Sequence, residues 1–265
     1  MVNPNKSLLI IGHRGASALG PENTLSAFAR AIRDGADGVE LDVRLSRDGV
    51  PIVIHDSTLP RTRLRKRFVA RVTSAQLRQI DIGSWFNQKY PDLARLEYTR
   101  QTIPTLDEVF QLLANQAPRH FVIYVELKCG RSRRRNEELA SAAVAAVQRH
   151  GLQDRAVLIS FNLRTVAKIR QLDDSLRTGA LFGQRSAVKS PSKIIQSAVD
   201  CAAKEILLNH RLASRKLTAA AAARGLPAVI WTVDDPRWIS QAKSLGIYAL
   251  MTNDPAKMLK ASNRL

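Results

Sequence analysis

Eight short apolar runs recur along the 265-residue chain with helix-like stretches between them, and no other feature narrows the fold as far. The runs are SLLII (7–11), DGVELDVRL (37–45), HFVIYVELK (120–128), AVLISF (156–161), TGALF (178–182), EILLN (205–209), PAVIWTV (227–233) and IYALMT (247–252). Segments with helical spacing lie among them, including Thr24–Asp34, Thr105–Asn115, Asn136–His150 and Ser214–Arg224. Strand alternating with helix argues for a parallel sheet, because parallel neighbours need a crossover connection. Eight such units in about 250 residues argue for a closed (β/α)8 TIM barrel, expected here as one α/β domain over residues 7–262. An open doubly wound sheet is the alternative, but no G-x-G-x-x-G follows the first strand.

One region breaks the alternation. PIVIHD (51–56) reads as a short return strand pairing with the second barrel strand through SRDG (46–49), where Asp48-Gly49 is a hairpin signal. From there to Thr102 no strand–helix unit is evident, so residues 57–102 are expected to be a small insertion after the second barrel strand. It carries RTRLRKRFVAR (61–71), with six basic residues and no acid, then a short helix candidate in TSAQLRQI and an aromatic stretch, GSWFNQKYP. Ser84–Phe86 is read as that insertion's own small core, with a lid contact as the alternative. Long insertions in a barrel's βα connections are usually functional.

Charge matters here. Lys and Arg total 41 against 23 Asp and Glu, a formal net charge of +18, which predicts attraction to phosphate esters, anionic membranes or nucleic acid. Nucleic acid is disfavoured, since aromatics make up 5% of the chain with no stacking-platform spacing. The basic runs 61–71 and 128–135 read as solvated faces or as transient contacts to anionic membranes. Two cysteines, no signal-peptide pattern and no membrane-length apolar run point to a cytoplasmic protein.

The chemistry-bearing residues cluster at strand ends. Strand side chains alternate, so Glu40 and Asp42 in GVELDV share one face while Val39, Leu41 and Val43 share the other. The apolar set suits the helix-facing side, which sends both carboxylates into the barrel mouth. Glu126 and Lys128 in VELK share a face in the same way. Three converging carboxylates, Glu40, Asp42 and Glu126, suit one hard divalent cation, Mg²⁺ or Ca²⁺. The competing reading is a structural ion network with Arg14, Arg44 and Lys128. His13 and His55 both follow apolar runs at the same end, and two histidines suit acid/base work near neutral pH. Hydrogen-bonded core histidines are the plainer alternative. Arg14 and Lys128 add positive charge for an anionic substrate.

These residues match a known pattern. HRGASALGPENTLSAFARAIRDGADGVELDVRLSRDGVPIVIHD (13–56) closely resembles the opening signature of the glycerophosphodiester phosphodiesterases, and the resemblance continues through IPTLDEVF, VELK, SF (160–161), WTV (231–233) and MTNDP (251–255). It implies a metal held by Glu40, Asp42 and Glu126, His13 and His55 as the acid/base pair, and Arg14 and Lys128 on the phosphate. Phe161 and Trp231 match positions that line the substrate pocket, and Asn23 is expected to help cap the first helix. The implied reaction converts a glycerophosphodiester to glycerol 3-phosphate and an alcohol, with water or the substrate's own 2-hydroxyl as nucleophile. Gly15 is expected to let the backbone turn beside the substrate. Tyr248-Ala249 and Asp234 depart from the family's usual Asp-Gly and Asn, and the insertion lacks its usual Thr/Gly-rich opening. A lysophospholipase D-type activity and a non-catalytic phosphate- or membrane-binding barrel are the alternative functions.

Overall fold

A computed structural model describes residues 8–59, 66–188 and 190–264. Residues 61–65 of the basic run 61–71 lie outside the described residues. Among the described residues nine strands form: β1 (Leu9–His13), β2 (Gly38–Leu45), β3 (Pro51–Val53), β4 (Val122–Leu127), β5 (Ala156–Ser160), β6 (Arg177–Phe182), β7 (Glu205–Asn209), β8 (Ala228–Trp231) and β9 (Ala249–Thr252). Eight of them are parallel and close into a ring, since β1 pairs with both β9 and β2, and β2 pairs with β4. β3 is the exception, antiparallel to β2 across the Asp48-Gly49 turn, where Gly49 takes a φ of +80°. The expected barrel is therefore the observed one.

Helices α1 (Leu25–Arg33), α2 (Ser74–Leu77), α3 (Ser84–Lys89), α4 (Leu106–Gln116) and α5 (Arg133–Arg149) occupy the first half of the chain. α6 (Leu163–Leu172), α7 (Pro191–Asp200), α8 (Arg215–Ala222), α9 (Trp238–Ser244) and α10 (Pro255–Ala261) occupy the second. Side-chain oxygens cap most of the long ones, Thr24 on α1 and Thr105 on α4 among them, satisfying donors that have no partner within the helix.

Strand alternation sorts the core into layers. Val39, Leu41, Val43, Ile123 and Val125 face outward onto the helices. Ile11, Tyr124, Val157, Ile159, Leu207 and Met251 fill the barrel itself. Between β3 and α4 the described residues hold only short helices and isolated bridges around Ile52, Leu59, Val69, Val72, Leu77 and Ile103. Phe86 is fully buried there against Tyr90 and Tyr98. Trp85 instead borders a small cavity beside His55 and Asp56.

Candidate active site

The C-terminal strand ends bring the charged residues together by register. His13 on β1 lies opposite Glu40 on β2, and Asp42 lies opposite Glu126 on β4. One carboxylate oxygen from each of Glu40, Asp42 and Glu126 falls within 4.8 Å of the others, and all three residues are buried. Like charges held so close in the interior must be compensated.

The compensation is incomplete. Lys128 Nζ lies 2.6 Å from Glu126 Oε1 and 2.9 Å from Asp42 Oδ1. Arg14 Nε lies 3.1 Å from Asp42 Oδ2. Both contacts to Asp42 are close ion pairs outside hydrogen-bond alignment, since Asp42 Oδ1 and Arg14 Nε have no hydrogen-bond partner. Among the described residues Glu40 receives only the Arg14 backbone N–H, at 3.1 Å, and stands 3.9 Å from His13 Nε2. Three carboxylates thus share two side-chain cations.

Titration behaviour follows that arithmetic. Burial, then Asp42 and Glu126, push the Glu40 carboxyl well above its usual range. Burial also raises Glu126, against the pull of Lys128. Burial alone would raise Asp42, but Lys128 and Arg14 outweigh it and hold that carboxyl low. Burial disfavours the Lys128 ammonium, yet Asp42 and Glu126 outweigh that and raise its pKa.

The two histidines are anchored differently. His13 Nδ1 sits 2.8 Å from Asn253 Oδ1, and Asn253 Nδ2 donates to Asp234 Oδ2 at 2.7 Å. A carboxylate only accepts, so Asp234 fixes the Asn253 amide with its oxygen toward the ring. His13 Nδ1 then carries the proton, leaving Nε2 on the Glu40 side. Burial and Arg14 lower the His13 pKa to about 4. His55 is anchored by Asp56, whose Oδ1 lies 2.9 Å from Nδ1, and its carbonyl accepts from Arg44 Nε at 2.8 Å. Burial is the main cause lowering the His55 pKa.

A cavity of about 230 Å³ collects eight of the nine expected residues: His13, Arg14, Glu40, His55, Glu126, Lys128, Phe161 and Trp231. Asp42 is the ninth and does not line it. Phe161 and Trp231 meet edge-on at 5.6 Å, and the buried Trp231 Nε1 has no hydrogen-bond partner. A buried donor without an acceptor is uncommon outside functional sites.

Several expectations change on contact with the fold. Asn23 does not cap α1; Thr24 does. Asn23 instead donates through Nδ2 to Asp42 Oδ2 at 2.8 Å and accepts from the Asp42 backbone through Oδ1 at 3.2 Å. Gly15 turns against a helix, because a Cβ there would stand 2.6 Å from the Ala27 carbonyl carbon on α1. Arg44 makes no close ion pair with the three carboxylates among the described residues; its Nε donates to the His55 carbonyl instead. Asn253 and Asp234 were not foreseen as site residues. The one hint was Asp234 itself, a departure from the resembled pattern.

A parallel barrel with carboxylates, histidines and cations gathered at its C-terminal mouth defines an enzyme built for phosphate esters. Comparison makes this specific: residues 13–257 match the glycerophosphoryl diester phosphodiesterase family, and the chain belongs to it. It is a phosphoric diester hydrolase of that family. A glycerophosphodiester phosphodiesterase from Caldanaerobacter subterraneus is 29% identical over 95% of this chain and 96% of its own length. One from Bacillus subtilis is 32% identical over 78% of this chain and 67% of its own length. A solved Oleispira antarctica phosphodiesterase, in complex with the product sn-glycerol-3-phosphate, superposes with a TM-score of 0.82 at 26% identity, covering 96% of each chain. A glycerophosphodiester phosphodiesterase from Agrobacterium tumefaciens gives 0.76 at 26% identity, covering 96% of this chain and 99% of its own. No helix among the described residues is long and apolar enough to cross a membrane.

Proposed function

We propose that the chain hydrolyses glycerophosphodiesters to glycerol 3-phosphate and an alcohol, with Glu40, Asp42 and Glu126 holding one divalent cation, Mg²⁺ or Ca²⁺. The observation that carries this is the charge imbalance at the mouth, three buried carboxylates within 4.8 Å and two side-chain cations. The donor set fits a hard cation: all oxygen, clustered, and including an Asp42 oxygen with no hydrogen bond. Such an ion, when bound, supplies Lewis-acid polarisation and charge stabilisation at the phosphoryl group.

The chain's own residues supply the rest. Arg14 and Lys128 border the cavity and hold the phosphoryl oxygens, whose charge grows in the transition state. His13 and His55 serve as the acid/base pair. Each has Nδ1 engaged away from the reaction, by Asn253 and by Asp56, which leaves Nε2 for proton exchange. One removes a proton from the nucleophile, water or the glycerol 2-hydroxyl, and the other protonates the departing alcohol. Phe161 and Trp231 offer apolar surface to the glycerol carbons. Residues 7–262 then form one catalytic domain, whose 57–102 insertion flanks His55.

Release of glycerol 3-phosphate from glycerophosphocholine, with EDTA and with Mg²⁺ or Ca²⁺ restored, tests this. Turnover should vanish with chelation and return with metal. Activity surviving complete metal removal would sink the carboxylate assignment, and turnover unchanged in the His13→Ala, His55→Ala double variant would sink the acid/base pair. Lysophosphatidylcholine in the same assay separates lipid from soluble substrates.

A further inference from the structure

We propose that the open groove beside the catalytic cavity seats the leaving alcohol and favours alcohols that carry a negative charge. The inference rests on the phosphodiesterase reading and adds the substrate class. A phosphodiester has two arms. The cavity of about 230 Å³, closed by Ile159, Leu181, Trp231 and Met251, takes one of them. The other must leave past Lys128, which also borders a groove of about 700 Å³ running between Phe68–Ala70 and the start of α5.

That groove is cationic throughout. Its lining includes Arg44, Lys128, Arg131 and Arg135, and among the described residues that line it there is no Asp or Glu. An adjoining branch past Phe161 ends at Arg164, and its single carboxylate, Glu126, is already paired with Lys128.

A basic protein has many surface arginines, and several near the groove are matched by acids. Arg133 pairs with Glu137, Arg134 with Glu138 and Arg149 with Asp107, and of the groove's own cations Arg135 pairs with Glu138 and Lys128 with Glu126 and Asp42. Among the described residues Arg131 and Arg164 have no such partner, and Arg44 donates only through Nε, to the His55 carbonyl. A trimethylammonium group would need carboxylates or an aromatic cage. The groove offers it one ring, Phe68. A second phosphate or a carboxylate on the alcohol would meet unpaired guanidinium groups, which bind such anions through paired N–H donors.

Three diesters with the same glycerophosphoryl arm test the idea: glycerophosphocholine, glycerophosphoglycerol and bis(glycerophospho)glycerol, whose leaving groups carry positive, no and negative charge. We expect kcat/KM to rise along that series, by roughly tenfold from first to last, a charge effect of about 1.4 kcal/mol. The spread should shrink in 0.5 M salt. Arg131→Glu and Arg164→Glu should lower the preference for the anionic member and raise relative turnover of the choline ester, a gain that misfolding cannot produce. Equal kcat/KM for all three, or a preference for choline, overturns the proposal. If the protein turns over none of them, the phosphodiesterase reading fails instead. Calorimetric binding of the same three then decides the groove: affinity rising with negative charge supports it, and a flat order overturns it.

Discussion

At the floor of the barrel Glu205 accepts the Tyr124 hydroxyl at 2.8 Å and pairs with Arg177, while at the mouth Glu40, Asp42 and Glu126 share Arg14 and Lys128. Both clusters hang on strands of one barrel and both are buried carboxylate sites. At the floor a single acid meets one cation and one hydroxyl. At the mouth an acid is left over, Asp42 Oδ1 and Arg14 Nε lack hydrogen bonds, and a cavity opens beside them. A satisfied buried cluster reports on stability. An unsatisfied one bordering a cavity reports on a ligand still to come. Electrostatics at the floor agrees: Arg177 is driven up despite burial, chiefly by Glu205, and burial with Glu205 holds the Tyr124 hydroxyl protonated.

If that contrast is right, the two clusters should fail in different assays. The largest effect belongs to the mouth: His55→Ala should cut kcat by about 10²–10⁴-fold, read by single-turnover kinetics, with the unfolding midpoint little changed. Next is the floor, where Glu205→Ala should cost about 2–3 kcal/mol in urea unfolding while activity per folded molecule persists. That lies below the value for a fully buried pair because 32% of the Arg177 side chain remains exposed. A Glu205→Ala protein that is stable but inactive would break the comparison.

Glu40→Gln should move stability the other way. Removing an acid whose ionisation burial, Asp42 and Glu126 all oppose relieves that unfavourable charge, so the metal-free protein should gain about 1 kcal/mol in the same unfolding experiment while losing metal-dependent activity. The pH dependence has a matching sign. Glu40 and Glu126 have raised folded pKa values, so the metal-free site holds its protons to higher pH than free carboxyls do, and a cation competes with those protons. Metal affinity should therefore rise with pH and fall as the solution is acidified toward those values, with proton release on calorimetry in paired buffers. The smallest effect sharpens the mouth alone: Asp234→Asn frees the Asn253 amide to rotate and should lower kcat a few-fold, on the order of 1 kcal/mol, with KM steady. Long-range ¹H–¹⁵N spectra should show His13 shifting toward a mixture of tautomers.

The mouth was legible in the sequence because its main parts obey a local rule. A period of two placed Glu40 with Asp42 and Glu126 with Lys128, and the barrel followed from strand–helix alternation. What stayed hidden depends on distant pairings. Asn253 reaches His13 across 240 positions, and Glu205 meets Tyr124 across 81. Nothing in EILLN marks its glutamate as satisfied, and nothing in MTNDP ties its asparagine to a histidine near the other end of the chain. Asn23 was misread for a related reason. Its position beside Thr24 resembles a cap, but its φ of +58° turns the side chain to Asp42.

The ammonium of Lys128 sits between Asp42 and Glu126, where a metal would need those oxygens. Loading the site is therefore an exchange and not an addition: an incoming ion must evict a charge that the chain itself provides. The evicted group lies on the wall of the cavity proposed to receive the phosphate. On the proposed assignment ion and substrate would be thermodynamically linked, each tightening the other's hold by the same factor. The lysine offered to the phosphate is held by Asp42 and Glu126 until an ion arrives, so on that assignment the ion-free enzyme should bind its substrate weakly.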